Sequence, residues 1–193
     1  MKAAKESGKG SRPARTGDVC RRSRVEKLAV AQELIYDAWE ERDRSKRVAL
    51  ARLALRTSPL CADAYVILAE QGARSPRAML SYYEKGVKAG KQALAGGGFA
   101  ENIGQFWGVL ETRPYMRARA GMAEVLWKMG RNAEAIEHYQ AMLVLDPMDN
   151  QGLRFRLADW LMESAKFQDF ARLISSYSND EWRVEDVEID DDL

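Results

Sequence analysis

The chain has 193 residues, of which 46% are apolar, and this suits one compact domain or a short stack of helical repeats. Cys20 and Cys61 lie far apart, without the spacing of a zinc site or the density of a secreted disulfide scaffold. This favours a reducing, cytoplasmic location. No run of about 18 apolar residues is present, so we expect neither a membrane span nor a secretory signal.

The two ends of the chain carry opposite charge. Residues 1–27 hold nine Lys or Arg against three acids, a net charge of +6, and residues 180–193 hold eight acids against one arginine, a net charge of -7. Few large apolar side chains accompany the basic end, so burial cannot offset the entropy of ordering it. We therefore predict a disordered basic arm over residues 1–24, a helical repeat domain over 25–177 and an acidic tail over 178–193.

In the first half of the domain, apolar residues recur at intervals of three and four, without strand-like alternation, which predicts an all-α fold. Ser58-Pro59 ends the second apolar stripe, Asp63 is predicted to cap the third helix, and Pro76 suits the first turn of the fourth. The predicted helices cover residues 28–39, 48–55, 64–71 and 76–89.

Residues 91–113 do not fit the alternation of paired helices. Pro59 and Pro147 follow matching helix ends and stand 88 positions apart, where two repeats of about 34 residues would place them about 68 apart. About 20 residues are therefore inserted. Three glycines at 96–98 precede an apolar group from Phe99 to Leu110, which predicts a flexible joint and then a short amphipathic helix.

The most specific pattern in the chain lies between residues 119 and 147. Small and apolar residues at fixed spacing are followed by a glycine, a second helix and a proline: Arg119, Met122, Ala123, Leu126, Gly130, Ala135, Tyr139 and Pro147. This resembles one tetratricopeptide unit, which is a pair of helices. Tyr65-x2-Leu68-Ala69 and Met79-x3-Tyr83 resemble a second, degenerate unit.

A last helix pair is predicted after this repeat. Asp149 and Asn150 are expected to cap one helix, and residues 167–177 to form its partner. Helix pairs then number about four, which passes the roughly three needed for neighbours to bury each other's apolar faces. The predicted fold is an all-α, tetratricopeptide-like solenoid of about four helix pairs with a short inserted helix.

Three longer segments narrow the resemblance. They read Cys-Ala-Asp-Ala-Tyr-Val-Ile-Leu-Ala-Glu over 61–70, Gly-Val-Lys-Ala-Gly over 86–90 and Met-Gly-Arg-Asn-Ala-Glu-Ala-Ile over 129–136. They resemble the suppression-of-tumorigenicity-7 family and a set of bacterial tetratricopeptide proteins, and residues 106–119 resemble the bacterial set in particular. The likeness covers roughly residues 30 to 150. It implies a helical scaffold without a defined reaction, and the membrane-spanning segments of the family's animal members are not seen in this sequence.

No pattern in the chain predicts a catalytic, cofactor-binding or metal-binding residue, so we expect a protein that is not an enzyme and uses no cofactor. His138 is the only histidine, and residues 8–11 lack the first glycine of a phosphate-binding loop. An enzyme is the third hypothesis. It would need His138, Glu111 and Arg113 to share one enclosed pocket near the inserted segment.

The predicted functional surface is the concave face that the first helix of each pair lines in a solenoid. Acids at three positions favour a basic or amphipathic peptide as the ligand. Packing between helices is an equally good interpretation of Trp127. The predicted groove residues are Gln32, Tyr36, Val66, Glu70, Arg117, Glu124, Trp127, Phe155 and Asp159.

The leading hypothesis is thus a scaffold or adaptor that binds a peptide or protein segment in this groove. The alternative is an RNA- or ribosome-associated protein that acts through the basic arm, since clustered Lys and Arg gain affinity by counterion release. Residues 1–35 contain no aromatic side chain to stack on bases, so nucleic acid is the less favoured partner.

Overall fold

The structure is a computed structural model that describes residues 16–178, with side chains from Ser23 to Tyr177. Within this range it contains eight α-helices, one π turn, one 3-10 turn and no strand, which confirms the all-α prediction. None of these described helices combines the length and the apolar character that crossing a membrane requires. The helices are α1 (Thr16–Glu40), α2 (Arg44–Thr57), α3 (Ala62–Ile67), α4 (Pro76–Ala93), α5 (Arg113–Lys128), α6 (Asn132–Leu145), α7 (Leu153–Glu163) and α8 (Phe167–Ser178).

Each helix packs against the next one along the chain, from α1 on α2 to α7 on α8. In addition, α1 contacts α3 and α3 contacts α5, so the first helices of neighbouring pairs lie side by side. The buried apolar residues form one small cluster in α1 to α3 and a larger one that extends from α3 to α7. This arrangement is consistent with the predicted helical repeat.

Several helix ends lie where the sequence predicted them, because nearby capping residues and prolines determine them. Ser75 caps α4 by accepting a hydrogen bond from the Ala78 amide at 3.2 Å, and Pro76 occupies the first turn. Ser58 ends α2, where its amide donates to the Ala54 carbonyl at 2.8 Å. The predictions at Ser58-Pro59 and Pro76 are therefore confirmed.

Asp63 is not a helix cap, and that prediction was wrong. Helix α3 begins at Ala62, so Asp63 lies inside its first turn with a fully buried side chain. The carboxylate faces a neighbouring helix and binds Arg117. After Ile67 the helix continues as the π turn Leu68–Gly72.

The helical region starts before the predicted domain boundary at residue 25. Helix α1 begins at Thr16, so the part of the predicted basic arm between 16 and 24 is helical. Residues 1–15 and 179–193, which hold the rest of the arm and nearly all of the acidic tail, lie outside the described residues.

The inserted segment does not form the predicted amphipathic helix. Between α4 and α5 its only helical element is the 3-10 turn Ala100–Asn102, and nearly all of the other residues form turns. The amides of Gly104 and Phe106 donate to the Leu145 carbonyl at 3.0 and 3.1 Å, which holds the segment against the end of α6. Gly104 has φ of +93°, a conformation that favours glycine and interrupts a helix.

Close packing joins α4 to α5 in spite of the insertion between them. A Cβ added at Gly90 would lie 2.9 Å from the Tyr115 Cβ, and one added at Gly121 would lie 2.2 Å from Cε1 of Tyr83. The two backbones therefore approach more closely than larger residues allow. Helices α4 and α5 therefore stay packed together although the inserted segment separates them along the chain.

The connection between α6 and α7 confirms one predicted cap and corrects the other. The Asp149 carboxylate accepts hydrogen bonds from the Leu153 and Arg154 amides at 2.6 and 3.1 Å, so it satisfies the start of α7. Asn150 instead binds the Asp146 carboxylate through its own amides, and it does not cap α7.

Candidate functional site

The predicted groove residues lie on the first helices of the pairs and on the π turn that continues α3. The structure separates them into a polar cluster, a row of acids, an aromatic stack and two outlying apolar residues. Gln32 and Tyr36 belong to α1, Val66 to α3, Glu70 to the π turn, Arg117, Glu124 and Trp127 to α5, and Phe155 and Asp159 to α7.

A polar cluster joins α1, α3 and α5. Arg117 donates to both Asp63 carboxylate oxygens, from Nε at 2.8 Å and from Nη2 at 2.6 Å, and Gln32 Nε2 donates to Asp63 at 2.9 Å. These bonds offset the desolvation of a carboxylate that is fully buried. The Cys61 thiol lies next to Gln32, and burial raises its pKa to about 12, so it stays protonated at neutral pH.

Two tryptophans that the sequence analysis missed flank the Arg117 guanidinium. The Cζ atom of Arg117 lies 5.0 Å from the ring centroid of Trp39 and 6.0 Å from that of Trp107. Trp39 is 42% exposed and its ring lies 5.7 Å from that of Tyr36, so aromatic surface remains open beside the polar cluster. The spacing of Tyr36 and Trp39 on one helix was the available signal.

Glu70 differs from Asp63 and Glu124 because it forms no ion pair with a described Lys or Arg. The residue is exposed, yet burial of its carboxylate raises the pKa, and the negative charge of Asp63 raises it further. A hydrogen bond with Tyr83 acts in the opposite direction. Among the described side chains, no Lys or Arg forms an ion pair with Glu70.

Glu124, by contrast, is partly neutralised within the chain. It accepts a hydrogen bond from the Tyr139 hydroxyl at 3.0 Å and lies 3.3 Å from Arg156 Nε. Tyr83 lies between Glu70 and Glu124, and its pKa is raised by burial and then by both carboxylates. Asp159, on the following helix, is exposed. We call Glu70, Glu124 and Asp159 the acidic row.

Trp127 packs between helices, as the second interpretation predicted. Its ring stacks on that of Trp160 with centroids 4.6 Å apart and an interplanar angle of 8°. Trp160 is 1% exposed and also stacks against Tyr139. Trp127 therefore stabilises the contact between α5 and α7 and leaves little of its ring for a partner.

The two outlying apolar residues, Val66 and Phe155, differ in their exposure to solvent. Val66 is 6% exposed and packs in the larger core, so the prediction that it lines the groove is corrected. Its helix is covered by α4 and α5, which accounts for its burial. Phe155 is 67% exposed and lies beside the Arg154 guanidinium, where a partner can reach it.

An apolar cavity of about 380 Å³ lies between α1, the end of α4, the inserted segment and the start of α5. It includes the predicted residues Gln32 and Tyr36. Leu110 and Glu111 line the other side from the inserted segment. No sequence pattern indicates this cavity, because its two walls are far apart along the chain.

The three residues required by the enzyme hypothesis do not line this cavity together. Glu111 lies in its wall, whereas Arg113 donates to the Trp107 carbonyl at 2.8 Å and His138 accepts from Arg119 Nε at 3.4 Å. Burial, followed by the charge of Arg119, lowers the pKa of His138 to about 4, so its ring is neutral at pH 7. In the part of the chain that the structure describes, no three His, Cys, Asp or Glu side chains are placed to hold a metal ion.

Comparison with known proteins gives one match. A family model described as ST7 protein matches residues 19–180, which include nearly all of the described helices. No curated protein matches the chain, and no solved structure does. The chain belongs to the ST7 protein family, in agreement with the resemblance seen in its sequence.

Proposed function

We propose that this chain is a non-enzymatic scaffold that binds a cationic segment of another protein along the face formed by α1, α3, α5 and α7. The observation that carries the proposal is that Glu70 is exposed and forms no ion pair among the described side chains. In addition, partial burial and then the charge of Asp63 raise the pKa of its carboxyl group. A Lys or Arg from a partner would supply the missing charge in a charge-assisted hydrogen bond.

The charges on the following helices support the same proposal. Glu70 lies in the π turn Leu68–Gly72, which ends α3. Glu124 and Asp159 extend the negative charge along the same series of helices, which favours a partner with more than one cation. The exposed rings of Tyr36 and Phe155 offer apolar contact on either side of the acidic row.

The proposal is tested by comparing the partners recovered from the native cell by two charge-reversed variants. Glu70→Lys combined with Glu124→Lys is expected to lower recovery of the specific partner by about tenfold or more, because it reverses the acidic row. Glu84→Lys combined with Glu137→Lys is the matched control, since both residues are exposed acids on α4 and α6, outside the proposed face. The control is expected to recover the partner as the intact chain does.

Folding is checked separately, because Glu124 also binds Tyr139 and Arg156. Glu70→Gln serves as a milder variant that removes one charge and keeps the size of the side chain. If thermal unfolding is unchanged and both double variants recover the partner equally, the acidic row is not the binding surface and the proposal fails.

A further inference from the structure

Three large apolar side chains that remain exposed converge on the apolar cavity. Val25 is 62% exposed, Tyr36 42% and Leu110 63%, and all three line it. Single exposed apolar residues are ordinary on protein surfaces, but their convergence around one cavity marks a binding site. The volume of about 380 Å³ lies in the range of ligand-binding clefts.

Helix α1 forms one wall of the cavity with a second apolar stripe. Val25, Leu28, Ala29, Gln32 and Tyr36 line it at helical spacing and extend along roughly 16 Å of the helix. A different side of α1, at 31, 35 and 38, is fully buried in the small core. One side of this helix is therefore used for folding, while the stripe at the cavity stays accessible.

The charged residues that line the cavity all have the same sign. Glu33 on α1 and Glu111 on the inserted segment are exposed, and no Lys or Arg is among the residues that line the cavity. An occupant with an apolar face and flanking cations would complement both features. A helix supplies such a pattern when its apolar residues recur every three or four positions.

We propose that the apolar cavity receives an amphipathic helix of a partner protein, which lays its apolar face along α1 and places Lys or Arg against Glu33 and Glu111. This inference rests on the proposed function. It specifies that the partner bound at the acidic row supplies an amphipathic helix and that this helix is anchored in the apolar cavity.

The chain's own ends are poorer occupants. Residues 1–15 hold five Lys or Arg, but Met1 is their only large apolar side chain, so they cannot fill an apolar cavity. The acidic residues after 179 would meet Glu33 and Glu111 with like charge. Residues 1–15 can compete with a partner for the cavity only through their positive charge.

The test uses two fluorescein-labelled model peptides of about 18 residues, or five helical turns, with leucine at helical spacing. One carries lysine at its remaining positions and the other glutamate. Fluorescence anisotropy with the full chain at physiological salt is expected to show the lysine peptide binding at least about tenfold tighter. Equal affinity of the two peptides would overturn the charge assignment.

Variants locate the peptide on the surface. Ala29→Trp fills the cavity and is expected to weaken the lysine peptide about tenfold or more, as is Val25→Asp if the first variant unfolds. Glu33→Lys with Glu111→Lys is expected to reverse the peptide preference. The control, Glu84→Lys with Glu137→Lys, makes the same change in net charge and is expected to leave binding unchanged. An equal loss in the control, or none in folded Ala29→Trp, would overturn the proposal.

Two further arms separate the remaining outcomes. Deletion of residues 1–15 is expected to change the affinity less than twofold. A tenfold increase would identify the arm as the occupant and overturn the proposal. In the Glu70→Lys, Glu124→Lys variant, full peptide binding together with loss of the cellular partner supports the cavity and the acidic row separately. If the Glu70→Lys, Glu124→Lys variant retains the cellular partner while Ala29→Trp loses the peptide, the acidic row is contradicted and the cavity is not.

Discussion

Two of the junctions between the first helices of neighbouring pairs are built from opposite chemistry. Between α3 and α5, the buried Asp63 carboxylate binds Arg117 through two hydrogen bonds. Between α5 and α7, Trp127 stacks on Trp160 at a centroid distance of 4.6 Å. We call these the polar junction and the aromatic junction.

The difference in chemistry gives the two junctions different roles, one in the stability of the fold and the other in the orientation of the candidate surface. An aromatic stack stabilises mainly by removing a large apolar area from water, whereas a buried ion pair roughly balances desolvation against attraction. The polar junction, however, fixes Arg117 and Gln32 beside the exposed Trp39. We therefore infer that the aromatic junction contributes more to the free energy of unfolding and that the polar junction orients the candidate surface.

Loss of the aromatic junction is expected to have the largest effect. Trp160→Ala should lower the free energy of unfolding by about 3–5 kcal/mol, because it leaves a cavity where a 1% exposed ring stacks on two others. Phe155→Ala, on the same helix but exposed, should change it by less than about 0.5 kcal/mol. Urea unfolding measures both, and equal effects would contradict the aromatic junction's role.

Breaking the polar junction is expected to have the next largest effect. Arg117→Met should lower the free energy of unfolding by about 3 kcal/mol, because Asp63 keeps a buried charge without its cation. Adding Asp63→Leu should recover most of that loss, since a pair of apolar residues has no charge to desolvate. If the double variant is no more stable than Arg117→Met, the pair does not act as a buried ion pair.

The close packing of α4 on α5, between the two junctions, predicts a smaller effect. Alanine normally favours a helix over glycine by about 1 kcal/mol. Gly121→Ala should instead destabilise by about 1–3 kcal/mol, because the added Cβ would meet the Tyr83 ring at 2.2 Å. Placing Gly121→Ala in a Tyr83→Ala background should remove the penalty. A penalty that persists in chemical unfolding of this background would rule out the ring contact as its cause.

The smallest effect at neutral pH is expected from His138, near the aromatic junction, because its contribution appears only as the pH is lowered. The pKa of His138 is about 4 in the folded chain and about 6.5 when unfolded, so the unfolded state binds the extra proton between these values. Stability should therefore fall as the pH falls from about 6.5 to 4, and His138→Gln should reduce that slope. Urea unfolding at several pH values measures the slope. An unchanged slope in the variant would assign the pH dependence to other groups.

The parts of the fold that were predictable depend on neighbouring residues. Ser75 and Pro76 start α4 through a cap and a fixed φ, which are both local effects. The predicted amphipathic helix does not form, because the amides of Gly104 and Phe106 donate hydrogen bonds to the Leu145 carbonyl, some 40 positions away. No local sequence pattern predicts such a hydrogen bond.

The candidate site shows the same limit. Helical register placed Tyr36 and Phe155 on an exposed face correctly, but it assigned Val66 to the groove although two helices cover it. Asp63 looked like a cap because its partner Arg117 is 54 residues further along the chain. Register predicts which residues share one helix face, whereas the neighbouring helix determines whether that face is open.

The central claim is that the face of α1, the π turn, α5 and α7 binds a cationic segment of another protein. Hydrogen–deuterium exchange of the full chain, with and without the partner that the acidic row recovers, tests this claim most directly. Slower amide exchange is expected in α1, in Leu68–Gly72 and along α5 and α7 when the partner is bound. Protection confined to α2, α4, α6 and α8 would contradict it.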